Sequence, residues 1–292
     1  MKKEMIFKQL GIYKKMLEDK GYKVIYIGLY GSQNYNLDDE KSDIDVKAIV
    51  LPSLHDIIFR KVISKTIEFD TGNIDVKDLI TFYNVIKKGN FSYIESIDTE
   101  YYIGDKKVKE LFKQFRPNLK SILGAMYEKR KALTHEYPSK VNEIKKWGFD
   151  PKQYHHIIRL YELLSFDIYN QSKLSYLKYE RKLSVEMIDI KRNRENLSRK
   201  YVEMESDRLV ECAKTLIPTD YQYKTIDIDN EISRYIEIKL KMELRNTNVT
   251  SAREYRTFNT PIPKNDLKKF PILEQYQGED ISYIVYEEIE IL

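Results

Sequence analysis

The segment YIGLYGSQNYNLDDEKSDIDVKAIV, residues 26–50, places the acid pair Asp43-Ile-Asp45 shortly after a Gly-Ser pair. Side chains alternate between the two faces of a β-strand, so Asp43 and Asp45 should share one face while Ile44 and Val46 point into the core. Two neighbouring carboxylates repel each other unless a cation lies between them. Proteins usually hold Mg²⁺ with one or two carboxylates together with substrate phosphates, so the acid pair predicts a metal site.

The Gly-Ser pair that precedes the acids is suited to binding a phosphate. Gly31 would let the backbone come close to a ligand, and N–H groups at the following turn can receive a phosphate. The hydroxyl of Ser32 can donate to the same phosphate. The segment therefore predicts a phosphate-binding turn and a metal site that are joined by one loop.

A third carboxylate would complete a two-metal arrangement, in which one ion activates an attacking hydroxyl and the other stabilises a leaving group. Asp75, in GNIDVKDL, is the best candidate, because it alternates with the apolar Ile74 and Val76 and should face away from the core. Asp70 and Asp78 fit less well, and Asp78 is predicted to cap the start of a helix.

A basic stripe lies further along the chain. Lys152, His156 and Arg159 are spaced i, i+4 and i+7, which places them on one face of a helix that begins at Pro151, whereas His155 falls off the stripe. The stripe could hold a triphosphate or a polyanionic acceptor. The alternative is an ordinary solvated helix face with i, i+4 pairs.

The elements that position these residues change character near residue 105. Before it, the pattern predicts a helix, two buried strands that flank the Gly-Ser turn, a short helix, two edge-like strands joined around Gly72 and another helix, over 3–20, 23–29, 42–51, 53–59, 65–70, 73–77 and 78–88. After it, helical spacing dominates, most clearly over 106–117, 119–135, 139–147, 151–171 and 198–216.

The predicted fold class is therefore α+β, a mixed sheet with flanking helices followed by a helical domain. The expected boundaries are 1–105 for the first domain, 106–245 for the helical domain and 246–292 for a C-terminal tail. The tail is expected to pack on the body or on a partner.

Composition narrows the function classes. The balance of 50 basic to 46 acidic residues is too even to indicate nucleic-acid binding from net charge alone. The single cysteine, Cys212, excludes an internal disulfide framework and favours a cytoplasmic location. No apolar run is long enough to span a membrane. The 24 tyrosines could form an RNA-stacking surface, or could simply follow from an AT-rich genome.

The pattern of Gly31-Ser32, Asp43-Ile-Asp45 and Asp75 resembles the nucleotidyltransferase superfamily that includes DNA polymerase beta and the aminoglycoside nucleotidyltransferases. Two further stretches resemble a bacterial and phage group of predicted nucleotidyltransferases. These are KKGNFSYIES, residues 87–96, and KKWGFDPKQYHHIIRLYELL, residues 145–164. The resemblance covers roughly residues 23–215, and it departs from the group near KRNREN, where a glycine-glutamate pair is expected.

The resemblance implies a polymerase-beta-like mixed sheet and a helical domain that closes over a nucleotide. It implies transfer of a nucleoside monophosphate from a nucleoside triphosphate, ATP among them, to an acceptor hydroxyl, with release of pyrophosphate. Two Mg²⁺ ions, or Mn²⁺, would be held by Asp43, Asp45 and Asp75, the last of which would also help to deprotonate the acceptor. Gly31 and Ser32 would hold the β- and γ-phosphates, and the basic stripe would clamp the nucleotide.

Lys88 and Asn90 are further nucleotide-binding candidates from the same resemblance, although Gly89-Asn90 is also an ordinary helix terminator. An RNA 3′ end, especially of tRNA, is slightly favoured as the acceptor over a protein or a small molecule, and the oligomeric state stays open. The alternative function is a non-catalytic nucleotide-sensing regulator, or an antitoxin-like binding module, on the same fold.

Overall fold

The computed structural model describes residues 2–39, 42–69, 71–138, 140–170 and 181–251. Residues Met1–Ile232 form one compact unit and Ser233–Leu292 form a second. The predicted tail, 246–292, lies outside the described residues from residue 252 onward, and Asp70 also lies outside them. Among the described residues, no helix has the length and apolar character that crossing a membrane requires.

A five-stranded mixed sheet forms the centre of the first part of the chain. Its strands are β1 (Lys23–Tyr30), β2 (Asp45–Leu51), β3 (Ser64–Phe69), β4 (Gly72–Asp78) and β5 (Tyr102–Gly104), in the spatial order β3-β4-β2-β1-β5. β2 and β4 pair in parallel, with Lys47 opposite Asp75, and the other neighbouring strands pair antiparallel.

Helices flank the sheet and then continue alone. The first group is α1 (Lys2–Glu18), α2 (Ser32–Tyr35), α3 (Leu54–Ile58), α4 (Leu79–Ile86), α5 (Phe91–Asp98) and α6 (Lys106–Phe112). The second group is α7 (Leu119–Ala132), α8 (Val141–Trp147), α9 (Pro151–Asn170), α10 (Arg181–Lys191), α11 (Arg199–Leu216) and α12 (Asp229–Ser251). The predicted fold class, α+β with a mixed sheet, flanking helices and further helices, is confirmed.

The two faces of the sheet differ in chemistry. On one face, the apolar residues of the strands pack against α1, and this core includes Leu10, Ile27, Val46, Ile74 and Val76, all fully buried. The opposite face, here the polar face, carries the residues that alternate with them. The expected alternation along β2 and β4 is therefore confirmed, because burying apolar side chains against α1 fixes the register of the strands.

Helix α5 covers part of the polar face at close range. The hydroxyl of Tyr26 donates to the carbonyl oxygen of Ser96 at 2.9 Å. A Cβ on Gly28 would lie 2.2 Å from that same oxygen, so a side chain at residue 28 would push α5 away from the sheet. Glycine is needed there because backbone approaches backbone.

Several elements differ from the expectations. The pattern predicts that β4 is edge-like, but β4 lies between β3 and β2 and pairs with both. β2 begins at Asp45 rather than residue 42, and the short elements α2 and β5 were not predicted, nor was α5. The predicted cap is confirmed, since the side chain of Asp78 accepts from the backbone N–H of Thr81 at 2.8 Å.

The later helices build a second core. Residues of α7, α9 and α11 form one buried apolar cluster, to which Ile122, Met126, Leu160, Leu164 and Val210 contribute. This core fixes α9, which carries the basic stripe, on a rigid support.

Candidate functional site

The acid pair lies at the end of β1, next to the Gly-Ser turn. Asp45 opens β2 and pairs with Tyr30, the last residue of β1. Its Oδ2 lies 3.7 Å from the point where a Cβ on Gly31 would stand, so this carboxylate oxygen faces the turn. Its Oδ1 accepts from the backbone N–H of Asn73 at 3.1 Å. Asp43 is exposed just before the strand, and its negative charge acts on Asp45.

The Asp45 carboxyl is in an environment that disfavours its charge. Burial raises its pKa, the N–H of Asn73 acts in the opposite direction, and the negative charge of Asp43 raises the pKa further. The positive charges of Lys152 and Lys47 lower it, but the net shift is upward. A bound cation would relieve this cost, which is the property expected of a metal ligand.

The Gly-Ser turn, Gly31-Ser32, is the predicted phosphate site. Gly31 has φ 87°, a left-handed conformation that favours glycine, and Ser32 starts the short helix α2. The carbonyl of Gly31 accepts from the N–H of Asn34, and that of Ser32 accepts from the N–H of Leu37, both at 2.9 Å. The turn is thus held by its own backbone, with Ser32 partly exposed.

Asp75 lies on the same face as Asp45, but it is already surrounded by donors. Its Oδ2 accepts from the ammonium of Lys47 at 2.9 Å and from the hydroxyl of Tyr93 at 2.6 Å. Its Oδ1 lies 3.4 Å from the ammonium of Lys77. Burial acts to raise the pKa of Asp75, yet Lys47, Tyr93 and Lys77 outweigh it and lower the pKa.

Lys47 is a site residue that the sequence reasoning missed. It is 4% exposed, and its Nζ lies 4.2 Å from the ring centroid of Tyr30 and 3.9 Å from that of Tyr93. Both distances are within cation–π range. The available signal was its place in DVKAIV, where a lysine two residues after Asp45 in a buried strand must share that residue's face.

The donor set fits one metal ion better than two. Asp43 is exposed, and Oδ2 of Asp45 faces the Gly31 turn, so these two could hold a divalent cation. Asp75 has both oxygens in contact with donors. In the part of the chain that the structure describes, no three His, Cys, Asp or Glu side chains are arranged as a group that could hold an ion.

The three residues of the basic stripe on α9 differ in how deeply the fold buries them. Arg159 is buried, donates to Oε1 of Glu95 at 3.0 Å, and lies 4.4 Å from the ring of Tyr35. The hydroxyl of Tyr35 donates to the other Glu95 oxygen and lies near the backbone N–H of Gly31. Arg159 therefore supports the Gly-Ser turn indirectly, through Glu95 and Tyr35.

Lys152 is the exposed member of the stripe and the one that acts on the acid site. Its charge lowers the pKa of Asp45 and also those of Lys129 and Lys191, although burial is the largest influence on all three groups. We call Lys129, Lys152 and Lys191 the basic cluster. Because the charge of Lys152 disfavours the charge of each of the other two lysines, a bound polyanion would stabilise the charged form of the cluster.

The two histidines of α9 both lie in surroundings that disfavour a protonated ring. His155, which falls off the stripe, is 2% exposed, and neither ring nitrogen has a hydrogen-bond partner. Burial, with the charges of Arg159 and Lys191, lowers its pKa to about 3. Burial and the neighbouring His155 and Arg159 also lower the pKa of His156 well below its ordinary value. Both imidazoles are neutral at pH 7.

The structure gives the contacts of the other two predicted nucleotide-binding residues, Asn90 and Lys88. Asn90 caps α5, since its side chain accepts from the N–H of Ser92 at 3.2 Å and from its hydroxyl at 3.0 Å. Lys88 lines an open cleft of about 550 Å³ with Lys87, Asn118 and Tyr223, among others. None of the three predicted metal ligands lines that cleft.

The end of α10 fixes the loop between the Gly-Ser turn and the acid pair. Lys191 Nζ donates to the carbonyl of Leu37 at 3.2 Å and to the hydroxyl of Ser42 at 3.3 Å. Arg192 donates to both oxygens of Asp39, at 2.6 and 2.9 Å. The KRNREN stretch, residues 191–196, therefore holds the loop that leads to Asp43.

Comparisons with known proteins add little to this geometry. No protein-family model and no curated protein matches the chain. Among solved structures, a nucleotidyltransferase-like protein from Exiguobacterium sibiricum 255-15 aligns over 98% of this chain and 92% of its own, with 12% identity and a TM-score of 0.27.

Proposed function

We propose that this chain is a divalent-metal-dependent nucleotidyltransferase that moves a nucleoside monophosphate from a nucleoside triphosphate to an acceptor hydroxyl. The observation that carries the proposal is the carboxylate of Asp45, which faces the Gly31 turn, with Asp43 beside it and Lys152 on the side of α9. The proposed metal ligands thus lie beside the proposed phosphate-binding turn, and the charge of Lys152 acts on them. A triphosphate with its bound cation needs these three features.

In the proposed reaction, the acceptor oxygen forms a bond to the α-phosphorus and the bond to the β-phosphate bridging oxygen breaks. Pyrophosphate leaves with that electron pair. Gly31 and Ser32 hold the β- and γ-phosphates, and Lys152 balances their charge. Mg²⁺ or Mn²⁺ on Asp43 and Asp45 would supply charge neutralisation at the transferring group. Asp75, on the same face, stays the proposed recipient of the hydroxyl proton, and it would accept through Oδ1, whose contact with Lys77 is the longest that the carboxylate makes, at 3.4 Å.

We propose RNA as the acceptor ahead of a protein or a small molecule. Lys152 supports this choice, because it is exposed and its charge acts on Lys129, and neighbouring positive charges attract the phosphates of RNA. The base that the site prefers is left open in this proposal, and ATP is the first donor to test.

Label transfer tests the proposed function. The protein is incubated with Mg²⁺ and each α-³²P-labelled nucleoside triphosphate, with RNA, cell protein or a small-molecule extract added in turn. Asp43→Ala and Asp45→Ala should each reduce transfer about 1,000-fold, because a metal ion contributes several kcal/mol of transition-state stabilisation. Asp19→Ala, which removes an exposed carboxylate just beyond α1, should leave transfer unchanged.

The outcomes separate the alternatives. Label in one pool, lost in both site variants and kept in Asp19→Ala, supports the proposal and identifies the acceptor class. Full transfer by Asp43→Ala and Asp45→Ala would refute the assigned site. If neither label nor pyrophosphate release is detected, the non-catalytic nucleotide-sensing alternative replaces the enzyme.

A further inference from the structure

The contacts of Asp75 differ from those of an open metal ligand. One oxygen accepts from Lys47 and Tyr93 at 2.9 and 2.6 Å, and the other faces Lys77 at 3.4 Å. A carboxylate that bridges two metal ions needs oxygens that can turn toward those ions. Here each oxygen is directed at a donor that belongs to the protein.

Lys47 cannot easily leave this position. Its side chain is 5% exposed, and the parallel register of β2 and β4 sets its residue directly opposite Asp75. The rings of Tyr30 and Tyr93 lie about its ammonium at 4.2 and 3.9 Å. Moving the ammonium away would break two cation–π contacts and an ion pair of a buried charge.

The charge of the polar face argues in the same direction. Asp43, Asp45 and Asp75 contribute three negative charges, and Lys47 and Lys77 contribute two positive charges, on or beside neighbouring strands. These charges leave a net single negative charge, and one divalent cation on Asp43 and Asp45 would make the net charge positive. A second divalent cation beside Lys47 would then meet like charge.

We infer that the ammonium of Lys47 holds, against Asp75, the position that a second metal ion would otherwise take. The site then binds one divalent cation, on Asp43 and Asp45, and Asp75 is not a ligand of it. This inference rests on the proposed function, and it replaces the two-ion arrangement predicted from the sequence with one ion and one fixed ammonium. Lys47 is a positioning residue, since it acts through Asp75.

Mn²⁺ binding to the full chain, without nucleotide, tests the inference by a readout other than activity. Free Mn²⁺ is followed by electron paramagnetic resonance, and heat by titration calorimetry. The wild type should bind one ion per chain, and Asp45→Asn should weaken that binding at least about tenfold. Asp75→Asn should change the Kd less than about threefold, because the inference gives Asp75 no direct bond to the ion.

Lys47→Met and Lys77→Met form a matched pair. Both lysines contact Asp75, but Lys47 alone makes the 2.9 Å bond and lies between the two rings. Lys47→Met should gain a second Mn²⁺ site, whereas Lys77→Met and Lys47→Arg should keep one. Circular dichroism of each variant checks that it is folded before ions are counted.

Each result has one meaning. Two ions on the wild type, or a tenfold weaker site in Asp75→Asn, would overturn the inference and leave the proposed enzyme intact. A folded Lys47→Met with one ion would also overturn it, since Lys47 would not be what excludes the second. A wild type that binds no Mn²⁺ would overturn both the inference and the metal site of the proposed function. If Lys47→Met does not fold, Asp75→Asn decides alone.

Discussion

Two ion pairs, Lys47 with Asp75 and Arg159 with Glu95, differ in what surrounds the carboxylate. Asp75 has three donors around it and a side chain that is 16% exposed. Glu95 is fully buried, and it bonds Arg159 of a distant helix and Tyr35. The first pair sets the charge of the polar face, whereas the second sets where the turn lies relative to α9.

The pKa shifts of the two carboxyls reflect this difference. Burial raises the pKa of Glu95, and Arg159 and Tyr35 only partly offset it. For Asp75, the lysines and Tyr93 outweigh burial, so its pKa is lowered. A buried pair with few partners is costly to build and more costly to break, because removing one member leaves an uncompensated charge.

The largest effect is expected from Arg159→Met, which removes the guanidinium partner of a fully buried carboxylate. The free energy of unfolding at pH 7 should fall by about 3–5 kcal/mol. Urea denaturation followed by circular dichroism measures it. A loss below about 1 kcal/mol would contradict the view that Glu95 depends on this partner.

A smaller loss is expected from Lys47→Met. Asp75 keeps Lys77 and Tyr93 in this variant, so its charge stays partly compensated. We expect the free energy of unfolding to fall by about 1–3 kcal/mol in the same urea experiment. If Lys47→Met proves more destabilising than Arg159→Met, the ranking of the two pairs is wrong.

His155 gives a pH test of the region around Arg159. Its folded pKa is about 3, below the ordinary value of 6.5, so the unfolded chain binds the extra proton first as pH falls. The stabilisation is therefore complete above about pH 6.5 and is lost as the pH falls toward 3, by up to about 1.4 kcal/mol per pH unit. His155→Leu should flatten the dependence of unfolding free energy on pH between 6.5 and 4. An unchanged slope would mean that His155 is accessible to protons in the folded state.

The smallest effect is expected from Arg130→Met, the control for Arg159→Met. Arg130 forms a two-bond pair with Asp207, at 2.7 and 2.9 Å, but the Asp207 side chain is 62% exposed. Exposed pairs contribute about 0.2–1 kcal/mol, and the contribution should decline in 1 M salt. A loss that equals that of Arg159→Met would show that burial does not separate the two pairs.

Strand periodicity made parts of this site predictable. Alternation along β2 and β4 was enough to place Asp45 and Asp75 on one face, because each strand must bury Ile or Val against α1. The same alternation is typical of an edge strand, although β4 lies inside the sheet. A strand whose polar face lines a candidate site has the same sequence pattern as a strand whose polar face meets solvent.

Contacts between distant segments were not predictable. A helical stripe gives the side of α9 on which a residue lies, but not what packs there. The placement of His155 and Arg159 depends on α5, α10 and the Gly-Ser turn, and Glu95 lies 64 residues before Arg159. The face on which Lys47 lies could be predicted from strand alternation. Its contact with Asp75 depends on the β2–β4 register, which the sequence alone does not give.

The distance in sequence between Glu95 and Arg159 has a consequence during synthesis on the ribosome. At about 5–20 residues per second, the 64 residues between them take roughly 3–13 s to translate. For that time, the emerging sheet and α5 exist without the guanidinium that compensates Glu95, so we expect Glu95 to stay hydrated and α5 to stay unprotected. Pulse proteolysis of stalled nascent chains, cut off before and after α9, should show protection of α5 appearing only in the longer chains.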